Sequence, residues 1–584
     1  MKNYYQANLF RSIALLLAMS WPLLLQAQEE RDLRPVSRTY AITNVNIIQG
    51  PGRKIDMGTV VIKDGLILSV GRNISIPAEA ITIKADSMYL YAGFIDGLSR
   101  VGVNKPKEEP NRERPKDPGN PPAELAGIVP QNDVRTFLNP ADKSVEELRA
   151  LGFTTAQVVP YGGMLPGTSA IVLLGGKTAD DMILVNKSAF YSELAGAQRV
   201  YPSTVIAVMA KWRELYRQAV LAKNYETLYA SNRAGLERPS ADRVLEAFYP
   251  VIDKRLPVAF KAEKYLEAQR VLALQTDLGF SVMIADLKEG WDAINKIKAA
   301  NAKTFLSLDL PEEKKDEKKD GKEGDKPKAD EPKKEEAKKE EPKKESKPKT
   351  AADLEKEALE KRREEFIALY VAQASVFQKA GVNFGFSSLS AKTKDIPANL
   401  RRMIKAGLTE DQALAALTTN PAQLLGLSDR MGSIDNGKMA NLVISDKPYF
   451  NEKAKVRFVF VDGVMYKQEV KETKGDPNVK VDVAGNWSVT TETPQGKSET
   501  KVSFKKEGSN YSGTISGGRL PAPVNLDKVE LEGNALKYSY TVQFDGRSFK
   551  VEVDAVVEGE TYKGTASMGN FGSFPLEAKK DPNR

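Results

Sequence analysis

The chain has 584 residues, of which 41% are hydrophobic, 86 are Lys or Arg, and 78 are Asp or Glu. This length and apolar content allow several domains with sizeable cores. The absence of Cys and His excludes disulfides, thiolate nucleophiles, Ser-His-Asp triads and zinc sites built from Cys or His. The net charge of +8 is small for this length and the basic residues are interleaved with acidic ones, so we expect no nucleic-acid binding.

Residues 1–27 are typical of a signal peptide. A basic start precedes the apolar run SIALLLAMSWPLLL, and the small residue Ala27 stands before a polar segment. The alternative is a membrane anchor, but the run is short for a span and contains Pro22. We therefore expect export to the periplasm or secretion, with no stable membrane span in the mature protein.

Two regions with different sequence patterns follow the N-terminal segment. Residues 38–92 contain short β-rich runs with turn residues between them. Residues 93–430 alternate apolar strand-like runs with amphipathic helical segments, a pattern that favours βα units around a parallel sheet. At this length the pattern predicts an α/β fold with a (β/α)8 TIM-like barrel.

Residues 311–350 interrupt this region with a tract of Lys, Glu, Asp and Pro that has almost no apolar residues. Such a tract cannot bury enough surface to fold, so we expect a disordered insertion. Its charges are nearly balanced, which favours a solvated spacer over an acidic or basic tether.

Residues 480–580 change character again, to short alternating runs with turn residues. They predict a separate C-terminal antiparallel β domain of barrel-like form. The Gly485-Asn486-Trp487 start resembles that of lipocalin-like barrels. Trp487 could plug one end of the barrel as core, or it could line a small apolar ligand pocket.

Three segments that precede the C-terminal β domain resemble metal-dependent amidohydrolases. They are GTVVIKDGLILSVG with the following YAGFIDGLSR, the stretch ALAALTTNPAQLLGLSDRMGSIDNGKMANLVISD that begins at Ala413, and VRFVFVDGVMY from Val456. Among the amidohydrolases, these segments are most similar to the imidazolonepropionase-like and prolidase-like branch. The resemblance implies that residues 38–92 and 431–470 form a small composite β-sandwich beside a barrel of residues 93–430.

The same resemblance implies one or two zinc or other divalent ions at the carboxyl ends of the barrel strands. The family's ligands are a His-x-His pair on strand one, a Lys or Glu on strand four, His on strands five and six, and Asp on strand eight. The corresponding vestigial positions in this chain are Leu98 and Arg100, then Lys261, then Ala285 or Asp286, and Ser388 or Leu389. We expect no metal and no other cofactor, because apolar side chains cannot ligate and cations repel a dication.

Candidate catalytic groups are Asp96, Lys261, Glu263 and Asp286. Asp96, within the retained Gly-Phe-Ile-Asp, has a structural interpretation, as a carboxylate that binds backbone amides, and a functional one, as a polar group of the pocket. Together with Arg100, the other three could form an anion-binding or Lys-dependent site, or an ion-pair network that fills the space left by the metals.

The sequence leaves three functions open. The first is a catalytically degenerate amidohydrolase, a pseudoenzyme that acts as a scaffold for a ligand or for a partner such as an active paralogue or a second copy of itself. The second is a hydrolase of non-peptide C–N bonds or small peptides that uses a carboxylate and Lys site. The third is an exported binding protein whose working part is the C-terminal β domain. Fold alone cannot choose among them.

Overall fold

A computed structural model describes residues 38–106, 115–312 and 351–468, and most of 479–581. The gaps in the last range are 480, 494–495, 509, 519, 521, 545–546 and 568–572. The proposed signal peptide at 1–27 lies outside the described residues, as does the Lys/Glu tract apart from its first two positions. The chain divides into two compact units near residue 468.

The first unit begins with a group of strands that precedes the barrel. They are β1 (Tyr40–Gly50), β2 (Arg53–Lys63), β3 (Leu66–Gly71), β4 (Ile81–Lys84) and β5 (Tyr89–Ala92).

The barrel strands follow. They are β6 (Phe94–Ser99), β7 (Phe153–Val158), β8 (Gly167–Leu173), β9 (Ile183–Glu193), β10 (Val258–Lys261), β11 (Val282–Leu287), β12 (Lys303–Ser307) and β13 (Phe384–Ser387).

The helices of this unit lie between and after those strands. They are α1 (Lys143–Ala150), α2 (Ala179–Met182), α3 (Val205–Ser231), α4 (Arg243–Glu246), α5 (Tyr249–Ile252), α6 (Tyr265–Leu278), α7 (Ile294–Ala299), α8 (Ala351–Lys379), α9 (Ile396–Lys405), α10 (Glu410–Leu417) and α11 (Thr419–Leu425). Short 3-10 turns occupy Val134–Phe137, Trp291–Ala293 and Thr393–Asp395.

Three strands return to the first group at the end of this unit: β14 (Leu442–Ser445), β15 (Val456–Val461) and β16 (Val464–Lys467). The resulting sheet has the order β16-β15-β14-β5-β1-β2-β3, with β4 paired to β1. β14 pairs antiparallel with β5, so that Leu442 lies opposite Ala92. Segments from both flanks of the barrel thus share one sheet and its apolar core.

The barrel sheet runs in the order β13-β12-β11-β10-β9-β8-β7-β6. Its first and last strands meet, because the Ser387 hydroxyl donates to the Leu98 carbonyl (2.8 Å) and the Ser388 amide donates to Asp96 (3.0 Å). One apolar cluster fills the interior, as in barrels of this type. Its fully and nearly buried members are Leu98, Val159, Ala189, Tyr191, Ala259, Met283, Ala285 and Phe305.

The layout departs from the regular (β/α)8 pattern that the sequence predicts. β8 is antiparallel to both of its neighbours, and the other adjacent pairs of the sheet are parallel. Only residues 159–166 join β7 to β8. A parallel crossover needs a dozen or more residues, so this short connection forces the strand to return antiparallel.

The second unit is all β. Its strands are β17 (Gly485–Thr493), β18 (Gly496–Glu507), β19 (Asn510–Gly517), β20 (Val524–Asn525), β21 (Lys528–Glu532), β22 (Ala535–Phe544), β23 (Arg547–Glu558), β24 (Thr561–Ser567) and β25 (Ser573–Lys580).

These strands form one antiparallel sheet in the order β20-β19-β18-β17-β25-β24-β23-β22-β21. The two edge strands, β20 and β21, are consecutive and separated by only two residues, so the sheet must curl to bring its edges together. Trp487 is fully buried in the core, donates from Nε1 to the Val483 carbonyl (2.8 Å) and packs against Tyr562.

No helix in the described part of the chain is long and apolar enough to span a bilayer.

The β unit has its own core, so residues 479–584 expressed alone should fold. Trp487 is the one Trp in that fragment, and its burial should give a blue-shifted fluorescence emission that red-shifts in a single cooperative step with urea. Emission of a solvent-exposed indole without denaturant would contradict this independence.

Candidate functional site

Charged side chains collect at one end of the barrel, where its parallel strands finish. The carboxyl ends of parallel strands lie on the same edge of a barrel, which is where TIM-barrel enzymes place their chemistry. We call this set the mouth cluster; its members are Asp96, Arg100, Glu193, Lys261, Glu263, Asp286, Lys288 and Asp309.

Arg100 and Glu193 form the first ion pair of the mouth cluster. The Arg100 guanidinium donates from Nη2 to Glu193 Oε1, and the Tyr191 hydroxyl donates to the same oxygen at 2.9 Å. The guanidinium also lies over the Tyr161 ring, with Cζ 4.5 Å from the ring centroid. The side chains of the pair are only 21% and 14% exposed, so the charges lie in a largely desolvated place.

Three further strand ends carry a chain of alternating charges. Glu263 Oε1 lies 3.0 Å from Lys261 Nζ and 3.6 Å from Lys288 Nζ, and Lys288 Nζ lies 2.7 Å from Asp309 Oδ2. Burial opposes ionisation of Glu263, but the hydrogen bond and charge of Lys261, with the charge of Lys288, outweigh it and lower the pKa of Glu263. The carboxylate is therefore held ionised by the cations around it.

Asp286 is a buried carboxyl group beside that chain. The hydroxyls of Ser390 and Ser387 lie within hydrogen-bond distance of its carboxyl group. Burial, the largest effect, raises the pKa of Asp286 against the hydrogen bonds from Ser390 and Ser307. Its backbone has φ of 61°, in the left-handed region that non-glycine residues rarely adopt. Strain of this kind is found where the surrounding structure fixes a residue, often at functional sites.

Asp96 is the second buried carboxyl group. It accepts from the Leu98 amide (3.3 Å), from the Ser388 amide (3.0 Å) and from the Ser388 hydroxyl. Burial raises the pKa of Asp96 to about 7, although these hydrogen bonds oppose the rise. In this geometry Asp96 joins β6 to β13, so it contributes to the closure of the barrel.

The described residues do not bring together the donors that the amidohydrolase resemblance implies. Leu98 and Ala285 are buried in the barrel's apolar interior, and Leu389 packs against that interior. Among the residues that the structure describes, no three Asp or Glu side chains gather closely enough to hold a metal ion. Two other positions that correspond to metal ligands carry the cations Arg100 and Lys261. The residues present at the barrel mouth therefore do not fit a divalent metal.

Sequence reasoning missed Glu193, Lys288, Asp309 and Ser390. Glu193 ends the fourth strand of the barrel sheet, the strand on which the resemblance implies a Lys or Glu ligand. Its spacing of two from Tyr191 places both side chains on the same face of β9, a signal that was present in the sequence. Lys288 and Asp309 likewise lie just past strand ends, whereas their pairing could be seen only in the folded chain.

Neutralising Glu193 should destabilise the protein. In Glu193→Gln the Arg100 guanidinium loses its carboxylate in a place with little solvent, and we expect the free energy of unfolding to fall by about 2 kcal/mol, below the range for fully buried pairs. Urea unfolding measures this change. Glu147→Gln is the control, since the exposed Lys143–Glu147 pair is screened by solvent and should contribute almost nothing. Equal losses in the two variants would contradict the account.

The pH dependence of the free energy of unfolding should reveal the ionisation of Asp96. The folded chain holds this proton up to about pH 7, while the unfolded chain releases it near pH 4, at about its ordinary value. Stability is therefore lost as pH rises from about 4 to about 7, by an amount on the order of 4 kcal/mol, and then levels off.

Asp96→Asn should flatten this part of the profile, because the amide imitates the protonated acid toward Ser388. Asp117→Asn, at an exposed position, should leave the profile unchanged. Urea unfolding of both variants between pH 4 and pH 8 makes the comparison. An Asp96→Asn profile parallel to that of the unmodified chain would show that Asp96 is ionised throughout.

Comparison with known proteins gives one family match. Residues 370–467 match the model of the amidohydrolase family. Over 151 residues the chain is 28% identical to urease subunit alpha 2 of Brucella abortus and to that of Brucella suis. That alignment covers 24% of this chain and 25% of each relative, so the chain spans about a quarter of the length of these curated relatives.

One solved structure shares the fold over most of this chain. An amidohydrolase from Thermotoga maritima MSB8 superposes with a TM-score of 0.57 at 19% identity, over 74% of this chain and 100% of that one. A prolidase complexed with N-methylphosphonate-L-proline gives a TM-score of 0.41 at 15% identity over the same shares, too low a score to compare sites. The chain is thus similar to the amidohydrolase family in sequence over residues 370–467 and to a solved amidohydrolase in fold over 74% of its length.

Proposed function

We propose that this chain is an exported protein of amidohydrolase fold that has lost the hydrolytic metal centre and acts by binding a ligand or a protein partner. The observation that carries the proposal is the pairing of Arg100 with Glu193 and of Lys261 with Glu263 at the barrel mouth. Cations thus stand at two of the positions where the family has neutral imidazole donors, and each is neutralised by a carboxylate.

Electrostatics opposes a metal at this place. A dication about 5 Å from a guanidinium, at an effective dielectric constant of about 20, is repelled by roughly 7 kcal/mol. Arginine cannot release its proton to relieve that repulsion. The carboxylate of Glu193 would have to leave Arg100 before it could serve as a ligand, and it would leave a largely buried cation behind.

The charges of the mouth cluster also balance without a metal. Three cations, Arg100, Lys261 and Lys288, face three carboxylates, Glu193, Glu263 and Asp309. The remaining carboxyl groups, Asp96 and Asp286, have raised pKa values and so need less countercharge. A divalent ion would add charge to a set that is already neutral.

A ligand rather than a metal is supported by one unused donor. The Nε atom of Arg100 is buried and has no hydrogen-bond acceptor among the described residues. A buried donor without an acceptor costs about 1–3 kcal/mol. A carbonyl or carboxylate oxygen of a bound molecule would satisfy this atom if neighbouring side chains at the barrel mouth moved to admit it.

A protein partner would fit the same proposal. An active amidohydrolase paralogue or a second copy of this chain could bind to the surface of the barrel, since a protein can keep its fold after it has lost its catalytic activity. Sedimentation of the mature chain tests self-association directly.

The second candidate is a hydrolase of non-peptide C–N bonds or small peptides that works without His. The family match supports it. So does one cluster: the Ser390 hydroxyl lies within hydrogen-bond distance of Glu263 (3.0 Å) and of Asp286, and Lys261 lies 3.0 Å from Glu263. A hydroxyl between two carboxyl groups with a nearby amine has the elements of acid–base chemistry.

Hydrolysis assays distinguish the two candidates. The mature chain, supplied with zinc, manganese or iron, should not hydrolyse dipeptides or cyclic amides above the buffer rate, because the cations at the barrel mouth oppose binding of a metal that would activate water. Lys261→Met and Glu263→Gln should change nothing in these assays.

Lys264→Met, an exposed neighbour, is the matched control. Hydrolysis above background that falls at least about tenfold in Lys261→Met and Glu263→Gln, but persists in Lys264→Met, would contradict the proposal and establish the hydrolase.

A further inference from the structure

The opposite end of the barrel, where its strands begin, also carries polar side chains. Lys303 is the first residue of β12, and Asn383 immediately precedes β13. Thr304 pairs with Phe384, so Lys303 and Asn383 are neighbours across these two strands. Phe305 faces the barrel interior, and alternation along the strand turns Lys303, two residues earlier, to the same side.

A cavity of about 490 Å³ opens at this place. Lys303 and Asn383 line it together with Lys298, and Gln423 and Leu424 of α11 line its other side. The volume is within the range of small-molecule sites, about 300–1,000 Å³. It is formed by residues that have no part in the mouth cluster.

The charge of this cavity is one-sided. Two lysines line it, and no carboxylate does among the described residues around it. Lys298 Nζ donates to the Ala380 carbonyl (2.9 Å). Lys303 is partly buried and forms no hydrogen bond or ion pair with a described residue, and this desolvation lowers its pKa.

Carboxamides supply further donors. Asn383 Nδ2 donates to Gln423 Oε1 at 2.8 Å, which leaves the amide hydrogens of Gln423 and one of Asn383 for another acceptor. Apolar side chains complete the wall, with Leu424 on one side and the buried Val382 on the other. The cavity therefore combines a cation, amide donors and an apolar surface.

We propose that this cavity binds a small organic acid, whose carboxylate pairs with Lys303 and whose alkyl part packs against Leu424 and Val382. The bound carboxylate supplies the countercharge that the chain itself does not provide for a partly desolvated ammonium. At the base of a barrel, polar residues usually serve stability. A cation without a protein partner does not serve stability, and this sets the site apart.

Titration calorimetry with butyrate tests the proposal on the full mature chain. Butyrate should bind one site per chain, Lys303→Met should abolish that binding, and the exposed Lys453→Met should retain it. Binding that survives in Lys303→Met would overturn the proposal, as would absence of binding to the unmodified chain. Inorganic phosphate is the second probe, and tighter binding of phosphate than of butyrate would overturn the role of the apolar wall.

Two measurements separate a ligand site from a structural lysine. Lys303→Met should melt at the same temperature as the unmodified chain or at a higher one, because the substitution removes an unpaired cation. In the unmodified chain, butyrate at about nine times its Kd should slow acetylation of Lys303 by acetic anhydride about tenfold. Mass spectrometry follows both Lys303 and Lys453, and equal protection of the two, or protection of neither, would overturn the site even if the variant fails to fold.

Discussion

The ion pair between Arg100 and Glu193 is the constraint on which this account of the barrel mouth depends. It joins the ends of β6 and β9, residues 93 positions apart in the chain, in a place with little solvent. Tyr161 stacks on the cation, and the Tyr191 hydroxyl binds the anion. An arginine held in this way keeps a fixed position and a permanent positive charge at the barrel mouth. This contact therefore determines which ligands can bind there.

The rest of the mouth follows the same principle. Lys261, Glu263, Lys288 and Asp309 alternate in sign across three strand ends. Asp96 and Asp286, which have no cation as a direct partner in this network, are held instead by serine hydroxyls and have raised pKa values. Buried charge is tolerated where it is paired and hydrogen-bonded, and where it is not paired the group favours its neutral form. The proposed binding role and the proposed loss of the metal site both rest on this arrangement.

Much of the fold could be read from the sequence, because it is carried by local patterns. The alternating β-rich flanks and the turn-rich end follow from strand periodicity, and the shared sheet of β5 and β14 was implied by a family resemblance. The antiparallel β8 was missed, although the eight residues that precede it were too few for a crossover. Glu193 was not predicted, although its spacing of two from Tyr191 places it on the same face of β9. Lys303 was not predicted because its surroundings are formed by segments that lie far apart in the sequence.

Metal content is the most direct test of the central claim, that cations have replaced the metal ligands at the barrel mouth. A chain that begins at Gln28, expressed with zinc, manganese and iron and freed of any affinity tag, has no His or Cys. Metal that it retained would therefore report ligands other than the Cys and His of common metal sites. After dialysis, elemental analysis should find well under one metal ion per ten chains. One tightly held ion per chain would contradict the account.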